Sequence, residues 1–374
     1  MSGAEFPIVG VIGAGQLARM MIAPAIALGV DLKLFAASSE DSAALSAEHV
    51  VGNFLNPDEV LTFAKTCDVI TFEHELIPNS VIKVLEQNQV VVRPSSSAFI
   101  YSQNKAQMRK ILQENNLPIP NWNLYSGDKD PGIPFPLIAK SISGGYDGRG
   151  VWVVADEFEL RELLKIQPTL LLEEKLNFTS EIAVMVARSP HGQAATWPPT
   201  LTVQRDGICI QTITPAPDIS DTLKISAQEI ALKIADLIGL VGVMAIELFV
   251  VGDRLLINEL AARPHNSGHW SIEGSVTSQF EQHLRAILDL PLGDPSMTAA
   301  FAVMGNILGG DKSDMYRPYL HLMARNPELK VHQYMKEVRP GRKIGHVNAV
   351  GEDLLHLEEL IVHARGYMNG EIDE

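Results

Sequence analysis

The stretch Ile8-Val-Gly-Val-Ile-Gly-Ala-Gly-Gln-Leu-Ala18 indicates how the fold begins. Its first five residues are mostly apolar and predict a short buried strand, and the glycines that follow predict a tight turn. A helix is expected from about Gln16 to Leu28. A strand, a glycine turn and a helix in this order open a Rossmann-like α/β unit with a parallel sheet.

Strands and helices continue to alternate over the first hundred residues. The expected elements are strands at residues 32–35, 68–72 and 90–93 and helices at residues 58–66 and 78–89. Helices of this length between strands imply right-handed crossovers and a parallel sheet. Pro94 and the three serines after it mark a boundary, so the first domain is expected over residues 1–95.

The pattern changes after residue 95. The expected helices are residues 102–115, 221–239 and 277–288, and the expected strands are residues 137–141, 151–154, 170–174, 181–188, 242–251 and 255–259. A second domain is expected over residues 96–295, and a small mixed domain over residues 296–374. The fold class is therefore α/β followed by α+β.

Composition excludes several classes of protein. The 374 residues are 46% hydrophobic and 20% charged, which is typical of globular domains rather than disordered or fibrous chains. Thirty basic against 45 acidic residues give a formal net charge of −15, which disfavours nucleic-acid binding. No run of about 18 apolar residues occurs, so no membrane span is expected. Cys67 and Cys209 form no motif, which fits a reducing, cytoplasmic location.

The glycine turn at residues 13–18 matches the pattern G-x-G-x-x-[GA] of dinucleotide sites. Free backbone N–H groups at a helix start attract phosphate. A nicotinamide site also needs an acidic residue at the end of the second strand, and Leu34-Phe-Ala-Ala37 has none. The turn is therefore expected to be a phosphate site for another ligand or a structural tight turn.

A second glycine-rich segment, Ser143-Gly-Gly-Tyr-Asp-Gly-Arg-Gly150, lies between two expected strands. Such a loop can close over phosphates with its backbone amides pointing inward. It lacks the Gly-Lys-Ser/Thr ending of a Walker loop, and no helix follows it directly. We expect a lid over a ligand, with Lys140 placing an ammonium beside the same phosphates; the alternative is a flexible hairpin tip.

Two carboxylates face each other in the expected hairpin. With residues 252–254 as a three-residue loop, Glu247 lies opposite Glu259, whereas a two-residue turn would place Asn258 there. Directly opposed like charges destabilise a strand pair, and a hard cation turns this repulsion into binding. The pair predicts a Mg²⁺ site; the alternative is a solvated strand face. The apolar residues assigned to the other face are Ile246, Leu248, Val250, Leu256 and Leu260.

Two polar clusters add further candidates. Arg263-Pro-His-Asn-Ser-Gly-His269 follows the hairpin at once, and its guanidinium, imidazoles and amide suit a phosphoryl group or a polar substrate. Residues 336–343 are rich in lysine and arginine within an acidic chain. A charge run of this kind is either an anion site or a solvated turn.

Together these motifs resemble ATP-grasp enzymes, and specifically the N5-carboxyaminoimidazole ribonucleotide synthetases. The resemblance covers the whole chain in order. It rests on residues 15–17, Gly144-Gly-Tyr-Asp-Gly-Arg-Gly150, Asn258-Glu-Leu-Ala-Ala-Arg-Pro-His-Asn-Ser-Gly-His269 and Arg339-Pro-Gly-Arg-Lys-Ile-Gly-His346. It implies a Rossmann-like pre-ATP-grasp domain, a two-lobed ATP-grasp core and a small mixed carboxy-terminal domain.

The resemblance also implies roles for residues at matching positions. For ATP these are Lys105, Lys140, Gly145, Tyr146, Asp147, Gly148, Arg149, Gly150, Val151, Glu173, Glu174, Lys175, Leu176, Glu181, Gln204, Asn258 and Glu259. For the metal they are Glu247, Asn258 and Glu259. For the ribonucleotide they are Gln16, Leu17, Glu73, Asn266, Lys336, Arg342 and Lys343. The implied catalytic residues, between the two ligands, are Tyr146, Asp147, Arg149, Arg263 and His265.

The implied reaction is ATP-driven carboxylation of 5-aminoimidazole ribonucleotide by bicarbonate, through carboxyphosphate, in purine biosynthesis. ATP and Mg²⁺, or Mn²⁺, are the implied cofactors, the partners are small molecules, and a homodimer is expected. Alternatives within the superfamily are a formate-using formyltransferase and a biotin carboxylase, and the tyrosine–aspartate and histidine motifs argue against both. A non-catalytic nucleotide-binding regulator is a further alternative, but it would have lost site residues such as Lys105, Glu259 and Arg263. The departures from the family pattern are Gln204 and Ala262, where a histidine and a proline are common.

Overall fold

The computed structural model describes residues 6–127, 130–144, 149–310 and 314–372. Its amino-terminal unit is a parallel four-stranded sheet in the order β3-β2-β1-β4. The elements are β1 (Ile8–Ile12), α1 (Gln16–Leu28), β2 (Asp31–Ala36), β3 (Glu48–Val51), α2 (Pro57–Ala64), β4 (Val69–Phe72) and α3 (Asn79–Gln87). Helix α1 ends where Gly29 adopts the left-handed conformation, with φ 71°.

One prediction for this unit is wrong, and one of its strands was not predicted. Residues 90–93 form no strand but only an isolated parallel bridge between Ile70 and Val92. Gln89 with positive φ precedes this stretch, and Pro94 after it has no N–H to donate, so the pairing cannot extend. The edge strand β3 was not predicted, because it is largely exposed and carries no alternating apolar pattern.

The helix expected over residues 102–115 is in fact two helices, α4 (Ser96–Gln103) and α5 (Lys105–Glu114). Asn104 separates them in an extended conformation, and its side chain accepts a hydrogen bond from the N–H of Gln107 at 3.0 Å. An asparagine cap of this kind favours a new helix start over continuation of the old helix. The break places Lys105 at the first turn of α5.

The next unit is an antiparallel four-stranded sheet in the order β5-β8-β6-β7. Its elements are β5 (Trp122–Tyr125), β6 (Leu137–Ser141), β7 (Val151–Val154), α6 (Glu157–Leu164) and β8 (Leu170–Glu174). Buried leucines from β6, α6 and β8 form its core. The glycine-rich segment lies between β6 and β7 in the chain, and its residues 145–148 are outside the described ranges.

A larger, antiparallel sheet runs through the rest of the chain in the order β14-β13-β9-β11-β12-β15-β17-β16, with β10 beside β9. Its elements and their helices are β9 (Ser180–Arg188), β10 (Ala194–Thr196), β11 (Thr200–Arg205), β12 (Ile208–Thr214), α7 (Asp221–Leu237), β13 (Gly242–Val251), β14 (Arg254–Ala261), α8 (Ser271–Gly274), α9 (Gln279–Ile287), β15 (Phe301–Leu308), α10 (Tyr316–Arg325), β16 (Lys330–Gln333), β17 (Lys343–Gly351) and α11 (Leu354–Asn369). Because β12 pairs with β15, the sheet continues across the boundary expected at residue 296. Within the described ranges, no helix has the length and apolar character needed to cross a membrane.

Candidate active site

The hairpin of β13 and β14 carries the predicted carboxylates, but its turn is shorter than expected. Val251 pairs with Arg254, so Gly252 and Asp253 alone form the turn, and the predicted three-residue loop is wrong. Gly252 has φ 61°, a conformation that a two-residue hairpin turn requires and glycine adopts readily. A turn of this length would by itself place Asn258 opposite Glu247.

A β-bulge restores the predicted pairing. Leu248 pairs with Ile257 and Glu247 pairs with Glu259, so Asn258 is the extra residue on β14. The apolar face therefore contains Leu255 and Ile257 instead of the expected Leu256, which pairs with Phe249 on the opposite face. The two carboxylates are brought together as predicted, through a register shift that the sequence pattern did not reveal.

Glu247 and Glu259 form a site suited to a hard cation. Burial and the nearby Glu259 and Glu181 carboxylates raise the pKa of Glu247 to about 7. Glu259 is partly neutralised by Lys105, whose Nζ lies 2.5 Å from Oε1. Asn258 donates from Nδ2 to Oε2 of Glu247 at 3.4 Å, and its Oδ1 accepts Lys140 at 3.0 Å. Two opposed carboxylates with an amide oxygen close by match the ligand preference of Mg²⁺.

Lys140 is held in the site by a buried network of charged side chains. Its Nζ lies 2.7 Å from Oε2 of Glu173 and donates to Oδ1 of Asn258 at 3.0 Å. Arg109 donates from Nε to the other oxygen of Glu173 at 2.6 Å. Although burial alone would raise the pKa of Glu173, Arg109 and Lys140 hold it at about 2. The Glu173 side chain therefore supports Lys140, and its backbone lies within β8, paired with Trp122 of β5 and Ile138 of β6.

The segment after β14 brings an arginine and a histidine to the carboxylates. Arg263 donates from Nη2 to Oε2 of Glu75 at 2.9 Å, and Nε2 of His265 lies 3.8 Å from Oε1 of Glu247. Burial and the charges of Arg263 and Lys343 hold the pKa of His265 well below its usual value. Its imidazole is therefore neutral near pH 7 and can accept as well as donate a hydrogen bond.

The expected ribonucleotide residues come from both ends of the chain. Lys336, between β16 and β17, donates from Nζ to Oε1 of Gln16 at the start of α1. Asn266 exchanges hydrogen bonds of 2.9 and 2.7 Å with Asn306 of β15. Arg342 donates to the carbonyl of Glu337 at 3.3 Å, in the same loop as Lys336. Leu17 is buried on α1, and Lys343 is close enough to affect the pKa values of Glu247 and His265.

The glycine turn after β1 serves the protein itself. Gly13 donates its N–H to the carbonyl of Phe35 at 3.0 Å, and Gly15 donates its N–H to Oε2 of Glu73 at 3.1 Å. A side chain at position 15 would place its first carbon 2.1 Å from the Glu73 carboxylate. Of the two interpretations of this turn, these contacts favour the structural one, with Glu73 rather than a phosphate as the acceptor.

The remaining expected nucleotide residues lie on or beside strands of the two antiparallel sheets, or outside the described ranges. Glu181 of β9 is close enough to raise the pKa of Glu247, and burial raises its own pKa. Gln204 of β11 lies at a register shift in the pairing with β12, where Ile210 of β12 is the extra residue. Glu174 ends β8, and Lys175 and Leu176, the other residues expected at the adenine, follow it directly. Gly145, Tyr146, Asp147 and Gly148 lie outside the described residues, whereas Arg149, Gly150 and Val151 lead into β7.

Sequence reasoning missed four residues that support the site. Arg109 and Gln279 are buried polar side chains, Glu75 pairs with Arg263, and Asn306 pairs with Asn266. Only Arg109 left a usable signal, because it lies four residues after Lys105 and so on the same face of α5. The other three act across distant parts of the chain.

Three family models match consecutive parts of the chain. Residues 7–103 match the ribonucleotide synthetase preATP-grasp domain, residues 110–280 the ATP-grasp domain, and residues 302–360 the phosphoribosylaminoimidazole carboxylase C-terminal domain. The chain is also 44% identical over 370 residues to the N5-carboxyaminoimidazole ribonucleotide synthase of Mycobacterium tuberculosis, with 94% of this chain and 86% of that protein covered. The chain belongs to the N5-carboxyaminoimidazole ribonucleotide synthase family.

Solved structures of this family have the same fold. A synthetase from Thermus thermophilus matches with a TM-score of 0.88 at 32% identity, over 98% of this chain and 99% of that one. A synthase from Aspergillus clavatus, in complex with ADP and 5-aminoimidazole ribonucleotide, matches with a TM-score of 0.88 at 30% identity and the same coverage. Membership confirms the predicted fold class and the predicted class of enzyme, an ATP-grasp ligase.

Proposed function

We propose that this chain carboxylates 5-aminoimidazole ribonucleotide with bicarbonate and ATP, forming N5-carboxyaminoimidazole ribonucleotide, ADP and phosphate. The observation that carries the proposal is the opposed pair Glu247 and Glu259, in contact with Lys105 on one side and with His265 on the other. A cation site between a lysine cluster and an arginine–histidine segment suits phosphoryl transfer to a small anion. The names of the relatives in this family support the same reaction.

In this proposal Glu247, Glu259 and Asn258 hold Mg²⁺, or Mn²⁺ in its place. The fit rests on the register that places Glu247 directly opposite Glu259, and it agrees with the pKa of Glu247, which burial and the Glu259 carboxylate raise. When bound, the ion neutralises the phosphate oxygens of ATP during transfer. Lys105, which now neutralises Glu259, becomes available to the nucleotide once the cation takes over that charge.

Lys105 and Lys140 are the proposed phosphate contacts of ATP. Lys140 is almost fully buried and lies beside Asn258, so its ammonium is aimed at the same place as the carboxylate pair. The backbone at residues 174–176 is proposed to bind the adenine edge, and Glu181 the ribose. The glycine-rich segment, including Arg149 and Gly150, is proposed to cover the phosphates and exclude water, because carboxyphosphate hydrolyses readily.

Arg263 and His265 are proposed to act where bicarbonate meets the γ-phosphate. A bicarbonate oxygen attacks phosphorus, the bond to the β-phosphate oxygen breaks, and carboxyphosphate and ADP result. The amine of the ribonucleotide then bonds to the carboxyl carbon of that intermediate, or to the CO₂ it releases, phosphate leaves, and the amine loses a proton. Arg263, held by Glu75, offers a guanidinium to the developing charge.

The ribonucleotide is proposed to lie between α1 and the loop before β17. Gln16 and Lys336 already touch. Asn266, bound to Asn306 of β15, is proposed to bind the same ligand. Arg342 and Lys343 add positive charge for the phosphate of the ribonucleotide, and Leu17 and Glu73 complete the amino-terminal side.

We further propose a homodimer, which light scattering of the purified chain tests directly.

The experiment that tests the function measures ADP release in the presence of bicarbonate and Mg²⁺. We expect release to depend on 5-aminoimidazole ribonucleotide, with the N5-carboxylated product formed in equal amount. ADP release that ignores the ribonucleotide, or that requires formate instead of bicarbonate, would contradict the proposal.

A further inference from the structure

A buried arginine that faces no ligand position holds the strand on which the carboxylate pair depends. Arg109 of α5 is fully buried. It donates from Nη1 to the carbonyl oxygen of Ile257 and from Nη2 to that of Asn258, each at 2.9 Å. Its Nε donates to Glu173 at 2.6 Å. All three edges of the guanidinium are therefore used to bind protein groups.

The two carbonyl groups belong to the bulge that sets the carboxylate register. The pairing of β13 with β14 shifts between Glu247 and Leu248, opposite Asn258. A bulged residue leaves the ladder, so its backbone groups need partners from elsewhere. A planar guanidinium reaches two neighbouring carbonyls with fixed geometry, whereas a lysine ammonium on a flexible stem is a single point charge.

The same arginine also reaches the lysine side of the site. Glu173 accepts Arg109 on one oxygen and Lys140 on the other, at 2.6 and 2.7 Å. Lys140 in turn donates to the side chain of Asn258 at 3.0 Å. Arg109 and Lys140 thus share the Glu173 carboxylate. Arg109 binds the backbone of Asn258, and Lys140 binds the side chain of the same residue.

We propose that Arg109 is a positioning residue for metal binding, whose two carbonyl contacts fix the bulge at Asn258 so that Glu259 faces Glu247. The inference rests on the proposed function only in that the carboxylate pair holds the Mg²⁺ of a bound nucleotide. Arg109 acts through the strand and not by contact with the metal.

The test variant is Arg109→Lys. It replaces the planar guanidinium, which reaches both carbonyl groups, with the single point charge of an ammonium. Mn²⁺ binding to the protein with ADP is measured by electron paramagnetic resonance, and ADP binding by calorimetry over a range of Mg²⁺ and in EDTA. We expect the half-saturating metal concentration to rise about 10-fold to 100-fold, as is typical when a residue that orients metal ligands is lost. ADP affinity in EDTA stays unchanged, and excess Mg²⁺ restores turnover.

Arg365→Lys is the matched control, because Arg365 is a buried arginine bound to Gln211 at 3.3 Å in the carboxy-terminal part of the chain. It should lose thermal stability without a change in metal dependence. Wild-type metal affinity in Arg109→Lys, or equal loss of ADP affinity with and without metal, would overturn the inference.

Glu173→Gln provides a second test that holds even where Arg109→Lys does not fold. It keeps an oxygen for Arg109 but weakens the hold on Lys140, so ADP affinity in EDTA should fall while the metal requirement stays normal. A raised metal requirement in Glu173→Gln would overturn the proposal that Arg109 supports metal binding through its two carbonyl contacts. Neither Mn²⁺ binding nor ADP binding requires carboxylation. If the protein did not carboxylate the ribonucleotide but the variants changed metal binding as expected, the proposed function would be refuted and the role of Arg109 would stand.

Discussion

Glu259 combines two roles at the scale of a single residue. One of its oxygens accepts Lys105 at 2.5 Å, and the residue directly faces Glu247. Glu259→Gln keeps the shape but removes the negative charge. We expect turnover to fall by more than about 100-fold, since even residues that merely orient metal ligands are worth 10-fold to 100-fold. Steady-state ADP release checks this, and near-normal turnover at ordinary Mg²⁺ would show that Glu259 is no metal ligand.

Glu247 makes the metal-free protein sensitive to pH. Its pKa is raised to about 7 in the folded state by burial and by Glu259, from about 4.3 in an unfolded chain. Folding therefore loses stability as the pH rises between these values, because the folded state must give up a proton that it binds more tightly. We expect Mg²⁺ to raise the melting temperature more at pH 8 than at pH 6, and Glu247→Gln to abolish the difference. Thermal melts with an equal Mg²⁺ effect at both pH values would refute this.

At the scale of one element, the first turn of α9 fixes the arginine–histidine segment. Gln279 is fully buried, accepts the N–H of His265 at 2.8 Å, donates to its carbonyl at 2.8 Å, and lies 3.0 Å from Nδ1 of His269. Gln279→Leu leaves these buried groups without the hydrogen bonds that Gln279 makes, and each lost bond lowers the free energy of unfolding by about 1–3 kcal/mol. We expect a lower melting temperature and a kcat reduced at least about tenfold, or ~1.4 kcal/mol in the barrier, with little change in the KM for ATP.

The same helix offers a matched control. Gln282 is equally buried and makes the same pair of hydrogen bonds to the backbone of Gly293, at 2.8 and 2.7 Å, away from the site. Gln282→Leu should lower the melting temperature comparably and leave kcat near the wild-type value. If both variants lost kcat equally, the effect of Gln279 would be one of general stability.

At the scale of the whole molecule, the two ends of the chain meet at the proposed ribonucleotide site. Lys336 contacts Gln16, which is 320 residues away, and Ser42 donates to the carbonyl of Tyr334 at 2.5 Å. Lys336→Met keeps the length of the side chain without its charge. We expect the KM for the ribonucleotide to rise by about tenfold or more, as for loss of a charge-assisted hydrogen bond, and the KM for ATP to stay nearly constant.

Arg339→Met controls for charge in the same loop, because Arg339 is exposed and its guanidinium pairs with the nearby Glu337. It should leave both KM values unchanged. A larger change in the KM for ATP than for the ribonucleotide in Lys336→Met would assign this loop to the nucleotide.

Local sequence pattern determined much of the fold. The limits of β1, α1, β6, β7, β8 and β13 follow from short apolar runs, helical spacing and glycine turns. These signals act between neighbouring residues, so they survive in any tertiary context. The same pattern predicted that Glu247 and Glu259 face each other. This pairing is correct, but the three-residue loop from which it was predicted is wrong.

Only the tertiary structure decided how those residues meet. The turn of two residues and the bulge at Asn258 cancel each other, and the bulge depends on Arg109, 148 residues from Ile257 in the chain. Likewise, Lys336 reaches Gln16 because β15 and β17 extend the sheet and bring the last part of the chain back to the first domain. Such contacts leave no periodic trace in the sequence, because each joins single residues from elements that are adjacent only after folding.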